Sequence, residues 1–258
     1  MNAIEVKNVT KIYKLYDNEK DILKEIILGR KYHREFTALK NINFKVKQGD
    51  TYGILGGNGS GKSTILSIIN GTTYPTKGDV KTKGKVALLN VGAGIIAGYT
   101  GMENIYYKCG LMGVPRKKID KMKESIIEFS ELGEFINHKV NKYSSGMKSK
   151  LGFAIAIHVE PDVLIVDEAL AVGDSRFAKK CHDKMDELKK KGITIIYVSH
   201  SHHAVRSFCK HACWINQGEF IGEGKAGDLS KIYEKFMNDK IDLKTAKKEV
   251  KGLKKWNI

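Results

Sequence analysis

Gly56-Gly57-Asn58-Gly59-Ser60-Gly61-Lys62-Ser63-Thr64 is the stretch that decides how this chain is read. It contains the pattern G-x-x-x-x-G-K-(S/T) in the setting that pattern requires, with an apolar run, ILG, before it and a helix-like run, STILSIIN, after it. Glycines let successive backbone N–H groups converge on phosphate oxygens, and the N-terminus of the following helix adds partial positive charge. Lys62 is placed to reach the β- and γ-phosphates of a nucleotide, and the Ser63 hydroxyl to ligate Mg²⁺. A glycine-rich turn with a chance lysine is the competing reading, and the flanking strand and helix count against it.

Working outward, Val163-Leu164-Ile165-Val166-Asp167-Glu168 sets two carboxylates at the mouth of an apolar strand. Asp167 can hold a metal ion through water there, and Glu168 can polarise an attacking water. Upstream, Tyr143-Ser144-Ser145-Gly146-Met147 precedes an apolar helix, LGFAIAIHV. A serine N-cap alone would account for that triplet structurally. DVLIVDE and ITIIYVSH read as fully buried parallel strands, and their alternation with helical segments predicts an α/β fold with a mainly parallel sheet. IEVKNVTKIY reads as an edge strand, and FTALKNINFKVKQGD as two strands around a turn. Residues 100–158 are helical in pattern, and the chain from Lys231 to residue 258 forms a basic helical tail.

The 45 Lys and Arg against 29 Asp and Glu give a net charge of +16, which suits a polyanionic partner: nucleic acid, nucleotide phosphates or an acidic membrane face. The N-terminus lacks the apolar core of a signal peptide. The longest uncharged stretch, Val86 to Met102, is interrupted by Gly92, Gly94, Gly98 and Gly101 and makes a poor membrane span. A soluble or peripheral chain is expected. Cys109, Cys181, Cys209 and Cys213 form no disulfide-like framework, consistent with a reducing compartment. His200, His202, His203, Cys209, His211 and Cys213 crowd together in sequence, but the cysteines fall on what reads as core-facing helix and strand, so a metal site built from this run is not expected.

Phosphate loop, serine–glycine signature, aspartate–glutamate strand, Asp174 and His200 occur in the order and spacing of the ATP-binding-cassette family, which the chain resembles up to about Asp228. The resemblance implies a phosphate-loop NTPase with an antiparallel β subdomain and an inserted helical lobe. It implies a cassette domain over residues 1–230, with the lobe at about 100–158 and an insertion helix at about 17–35. By the same resemblance, Gly56 to Thr64 bind ATP, Tyr13 stacks on adenine (Tyr16 being the rival), and Glu168 and His200 serve hydrolysis. Ser63 and Asp167 attend Mg²⁺. Ser144, Ser145 and Gly146 contact ATP held by a second copy of the chain, and Asp174 bridges the two copies. The family's signature is usually L-S-G-G-Q, from which YSSGM departs. Its usual metal-binding glutamine is replaced here by Asn90, one methylene shorter.

NVGAGIIAGYTGMENI, YSSGMKSKLGFAIA and IVDEALAVGD resemble polysaccharide-export cassettes, and EFSELGEFI with NKYSSGMKSKLGF is most similar to the teichoic acid exporters of Gram-positive bacteria. That implies a peripheral subunit at the cytoplasmic face of the cell membrane, a membrane permease partner, and a lipid-linked polymer reaching it through the permease. Capsule or O-antigen export is the near alternative. A soluble cassette acting on nucleic acid is disfavoured, because such proteins generally carry two cassettes or large coiled-coil or zinc insertions, whereas one phosphate loop, one signature and one aspartate–glutamate pair are present here; no nucleic-acid partner is therefore expected. The insertion carries an apolar stripe, Ile22, Leu23, Ile26 and Ile27, among Lys20, Lys24, Arg30, Lys31 and Arg34. Packing on the protein's own core is the usual fate of such a stripe, but the surrounding positive charge favours docking at the membrane surface.

Overall fold

The computed structural model describes residues 1–89, 94–167 and 175–253. From the N-terminus these form β1 (Asn2–Leu15), α1 (Glu19–Leu28), β2 (Arg34–Lys47), β3 (Thr51–Leu55), α2 (Lys62–Ile69), β4 (Lys77–Thr82), β5 (Val86–Leu89), α3 (Gly101–Leu111) and α4 (Arg116–Ser130). There follow α5 (Ser145–His158), β6 (Val163–Asp167), α6 (Ser175–Lys190), β7 (Thr194–Ser199), α7 (His202–Phe208), β8 (His211–Asn216), β9 (Glu219–Lys225), α8 (Ala226–Met237) and α9 (Leu243–Gly252). The chain divides into two compact units. One comprises Met1, Lys47–Tyr52 and Lys83–Ser199; the other comprises Asn2–Val46, Gly53–Thr82 and everything from His200 onward.

In the first unit β6 lies between β5 and β7, parallel to both, with Val163 opposite Val86 and Thr194. Covered on both faces, Val163 to Val166 are wholly buried, which is why the strand reads as an unbroken apolar run. The second half of α5 is apolar on every side, and Leu151 to Ile157 are buried. Phe153 packs with Phe129 of α4 and Phe177 of α6, with all three ring separations between 5.6 and 6.2 Å. α3 starts on a capping box, in which the Glu103 N–H donates to Thr100 Oγ1 while the Thr100 N–H donates to the Glu103 carboxylate.

In the second unit the strands run β4-β1-β2-β9-β8, with the end of β3 beside β8. β1 pairs antiparallel with β4, so β1 is an inner strand and not the expected edge. β2 is one strand of 14 residues where two were expected. Asn41 takes a left-handed conformation inside it (φ 51°), and Asn43 Nδ2 donates to the Asn41 carbonyl, so the apparent turn is absorbed locally. β8 and β9 form a tight hairpin whose two turn residues, Gln217 and Gly218, both have positive φ. Trp214 of β8 is fully buried, edge-on to Tyr233 and against Phe236, both from α8. α8 runs unbroken from Ala226 to Met237, across residue 230. α9 follows α8, its Val250 set against Gly222 of β9.

α1 behaves differently from every helix just described, because none of its residues is buried. Its apolar stripe is open to solvent, with Ile26 73% and Ile27 77% exposed, so the stripe does not pack on the protein's own core. Polar contacts hold the helix instead. Glu25 accepts from Lys14 Nζ (3.0 Å) and the Tyr32 N–H (3.0 Å) and lies 2.5 Å from His33 Nδ1. His33 chiefly, then the Tyr32 N–H and Lys14, hold the Glu25 carboxyl at about 2 instead of 4.5. With a depressed pKa, the anchor is complete above about pH 4.5 and is lost as the pH falls towards 2. Glu25→Ala should release α1. Amide hydrogen exchange across residues 19–28 should accelerate while the melting temperature stays near wild type, since no core contact is removed. Unchanged exchange would show that α1 is held by something other than this carboxylate.

Candidate functional site

The loop between β3 and α2 is shaped by glycines that have no room for a side chain. A Cβ on Gly56 would lie 2.4 Å from both the Ile215 carbonyl oxygen and Ser60 Oγ. Gly61 has φ +101°, and its Cβ would meet the Ala38 carbonyl oxygen at 2.8 Å. The loop is thus pressed onto the backbones of β2 and β8. Gly57 and Gly59 differ: a Cβ on either would meet nothing within 4 Å, so their side of the loop is open. Gly218, in the β8–β9 turn, braces the loop by donating its N–H to the Ser60 carbonyl (3.0 Å) while the Lys40 N–H donates to its own (2.7 Å). Sequence reasoning missed Gly218; its only signal is a Gln-Gly pair between two strand-like runs.

Lys62, at the start of α2, curls back so that Nζ donates to the Gly56 and Gly57 carbonyls at 2.7 and 2.8 Å. Charged hydrogen bonds of this kind contribute about 1.5–3 kcal/mol each. Ser60 Oγ is buried without a hydrogen-bond partner among the described atoms. α2 begins at Gly61 with no side-chain cap, leaving its first N–H groups for an outside acceptor. Ser63 is exposed on the first turn. A cationic amine, uncapped helical N–H groups and an open glycine face are what a phosphate chain requires.

Tyr13, on β1, keeps its ring 36% exposed, with Lys11 Nζ 5.0 Å from the ring centre. Tyr16 is instead engaged with His33, 5.5 Å between rings, in the network that holds α1. His200 is exposed directly after β7. In the other unit, Asp167 is the exposed last residue of β6, opposite Val198. Ser144 caps α5, its Oγ accepting from the Met147 N–H at 3.2 Å, and Ser144 and Ser145 are both exposed at the helix start with Gly146 next. The capping role and an outward-facing hydroxyl are compatible. Asn90, Glu168 and Asp174 lie outside the described residues. Cys209 and Cys213 are buried core residues.

A strand, a glycine loop with Gly59 and Gly61 at positive φ, a lysine folded into that loop and a helix N-terminus define a phosphate-loop nucleotide-binding fold. The profile of the ABC transporter family matches residues 39–171. The chain is 46% identical over 92% of its length to "Teichoic acids export ATP-binding protein TagH" of Staphylococcus saprophyticus, covering 90% of that protein. It is 43% identical over 98% of its length to the protein of the same name in Staphylococcus epidermidis, covering 94% of it. The Bacillus anthracis protein of that name is 44% identical over 91% of the chain, which spans only 43% of that longer protein. The chain belongs to the ABC transporter family. A solved dimeric ATP-binding cassette, in a post-hydrolysis state bound to ADP and Pi, matches 86% of the chain and 98% of its own length at 26% identity and a TM-score of 0.70. An ATP-binding subunit of an ABC transporter matches 96% of the chain and 99% of its own length with a TM-score of 0.73, and at 20% identity that likeness speaks for the fold alone.

The two kinds of loop glycine separate in a test. Gly61→Ala should lower stability by about 1–3 kcal/mol, because its Cβ strikes backbone. Gly57→Ala should melt within about 0.5 kcal/mol of wild type. It should nevertheless bind ATP at least about tenfold more weakly, some 1.4 kcal/mol, because its methyl group intrudes on the open face. Wild-type affinity in Gly57→Ala would mean that phosphates do not lie against that face.

Proposed function

We propose that this chain is the ATP-hydrolysing subunit of an exporter that moves lipid-linked teichoic acid across the cytoplasmic membrane. The observation that carries the reading is the open, lysine-bearing glycine loop, in a chain so similar to full-length teichoic acid export ATP-binding proteins. Tyr13 stacks on adenine, the backbone of Gly56 to Thr64 holds the phosphates, and Lys62 exchanges its two carbonyls for β- and γ-phosphate oxygens. Glu168 polarises the attacking water, and His200 orients it. Ser63 and Asp167 offer only oxygen ligands, the type Mg²⁺ takes, and both are exposed, so the donor set fits that ion. When bound, Mg²⁺ withdraws charge from the β- and γ-phosphates. Asn90 takes the position of the family's metal-contacting glutamine with a shorter reach.

Catalysis is shared between two copies. Ser144, Ser145 and Gly146 of one copy face the nucleotide held by the other, and Asp174 bridges them, giving two equivalent composite sites. No helix among the described residues is long and apolar enough to cross a membrane. The polymer passes through a separate permease, the partner that an exporter's ATP-binding subunit implies. The subunit sits at the membrane's cytoplasmic face, where the exposed stripe of α1 and its basic neighbours meet the lipid surface.

In a host depleted of its own export ATPase, this chain should restore wall teichoic acid, and Glu168→Gln should not. Purified Glu168→Gln should form a dimer with ATP and Mg²⁺ that sedimentation detects, and adding Ser144→Arg should abolish it by setting bulk and charge against the opposing site. Wild-type turnover by Glu168→Gln, or a dimer indifferent to both ATP and Ser144→Arg, would contradict the shared-site reading.

A further inference from the structure

Away from the phosphate loop, three side chains on two helices of the second unit meet without an evident purpose. His202 and His203 open α7, and Glu234 lies on α8. One ligand-capable atom from each lies within 4.8 Å of the others. The two imidazole rings are 4.2 Å apart, and His202 Nε2 is 3.8 Å from Glu234 Oε1. That separation is too long for a hydrogen bond. His202 Nε2 is nonetheless buried and has no hydrogen-bond partner among the described atoms. Buried nitrogens ordinarily have one, so this atom asks for an explanation. Glu234 adds a second oddity. In a chain with 45 Lys and Arg, its carboxylate is set, among the described residues, against an imidazole and not against a lysine.

We propose that His202, His203 and Glu234 bind one divalent transition-metal ion of the zinc class, which clamps α7 to α8. Two imidazole nitrogens and one carboxylate oxygen form a ligand set suited to Zn²⁺, with water in the fourth position. Mg²⁺ prefers oxygen ligands alone and is not the expected occupant. Ligand distances of about 2.0–2.2 Å put two atoms sharing one ion roughly 3.3 Å apart, so the 3.8 Å pair closes by a small side-chain rotation. His203 is exposed, which gives the ion a way in from solvent. α7 has seven residues and buries only Val205 among them, so a metal clamp would add substantially to its hold on α8. The competing reading is a loose His202–Glu234 contact, which predicts no response to metal.

The test uses the untagged 258-residue chain, freed of metal and held in excess Mg²⁺. Co²⁺ is titrated by visible absorbance and then displaced by Zn²⁺, and melting is followed with and without Zn²⁺. Wild type should bind one Co²⁺ per chain, release it to Zn²⁺, and melt higher with Zn²⁺. His203→Ala and Glu234→Gln, both outside the nucleotide machinery, should each weaken binding about tenfold or more (about 1.4 kcal/mol) and remove the melting shift. No saturable binding by wild type, or a loss in only one or neither variant, overturns the proposal.

Discussion

Two glycines set against two carbonyls hold the active loop in place: Gly56 under the Ile215 carbonyl and Gly61 over the Ala38 carbonyl. Neither contact survives a side chain, and together they fix the loop between β2 and β8 so that Gly57 and Gly59 turn their open faces outward. The hairpin turn at Gln217 and Gly218 closes the arrangement by bonding both the loop and β2. Lys62 then has a defined place to fold back to, on the Gly56 and Gly57 carbonyls. Geometry of this kind is set before ligand arrives, so little ordering remains to oppose binding.

The glycine loop, the Val163–Asp167 strand and the helix after Ser144 were legible because each is governed by neighbours in sequence. A loop motif sits between its own strand and helix, a strand covered on both faces must be continuously apolar, and a cap precedes the helix it caps. β2 was misread as two strands because Asn41 and Asn43 carry turn chemistry, which a side-chain hydrogen bond satisfies within a single strand. β1 read as an edge because its partner β4 lies more than 60 residues away and, being exposed, alternates only weakly.

The same distinction divides the candidate site residues. Lys62 and Ser144 announce themselves by local pattern, whereas Gly218 matters only because the fold returns it to the loop from far along the chain. Glu234 is invisible beside His202 and His203 until α8 packs against α7. The insertion shows the converse. Its stripe was plain in sequence, but whether that stripe faced core or solvent depended on Glu25, whose three contacts support α1 while leaving every apolar residue outside.

The most direct test of the central claim, that Lys62 leaves its own loop to bind the phosphates of ATP, is titration calorimetry with ATP and Mg²⁺ on wild type and Lys62→Ala. The account predicts one nucleotide per wild-type chain and an affinity at least about tenfold lower in the variant, some 1.4 kcal/mol. Equal affinity in the two proteins would contradict it.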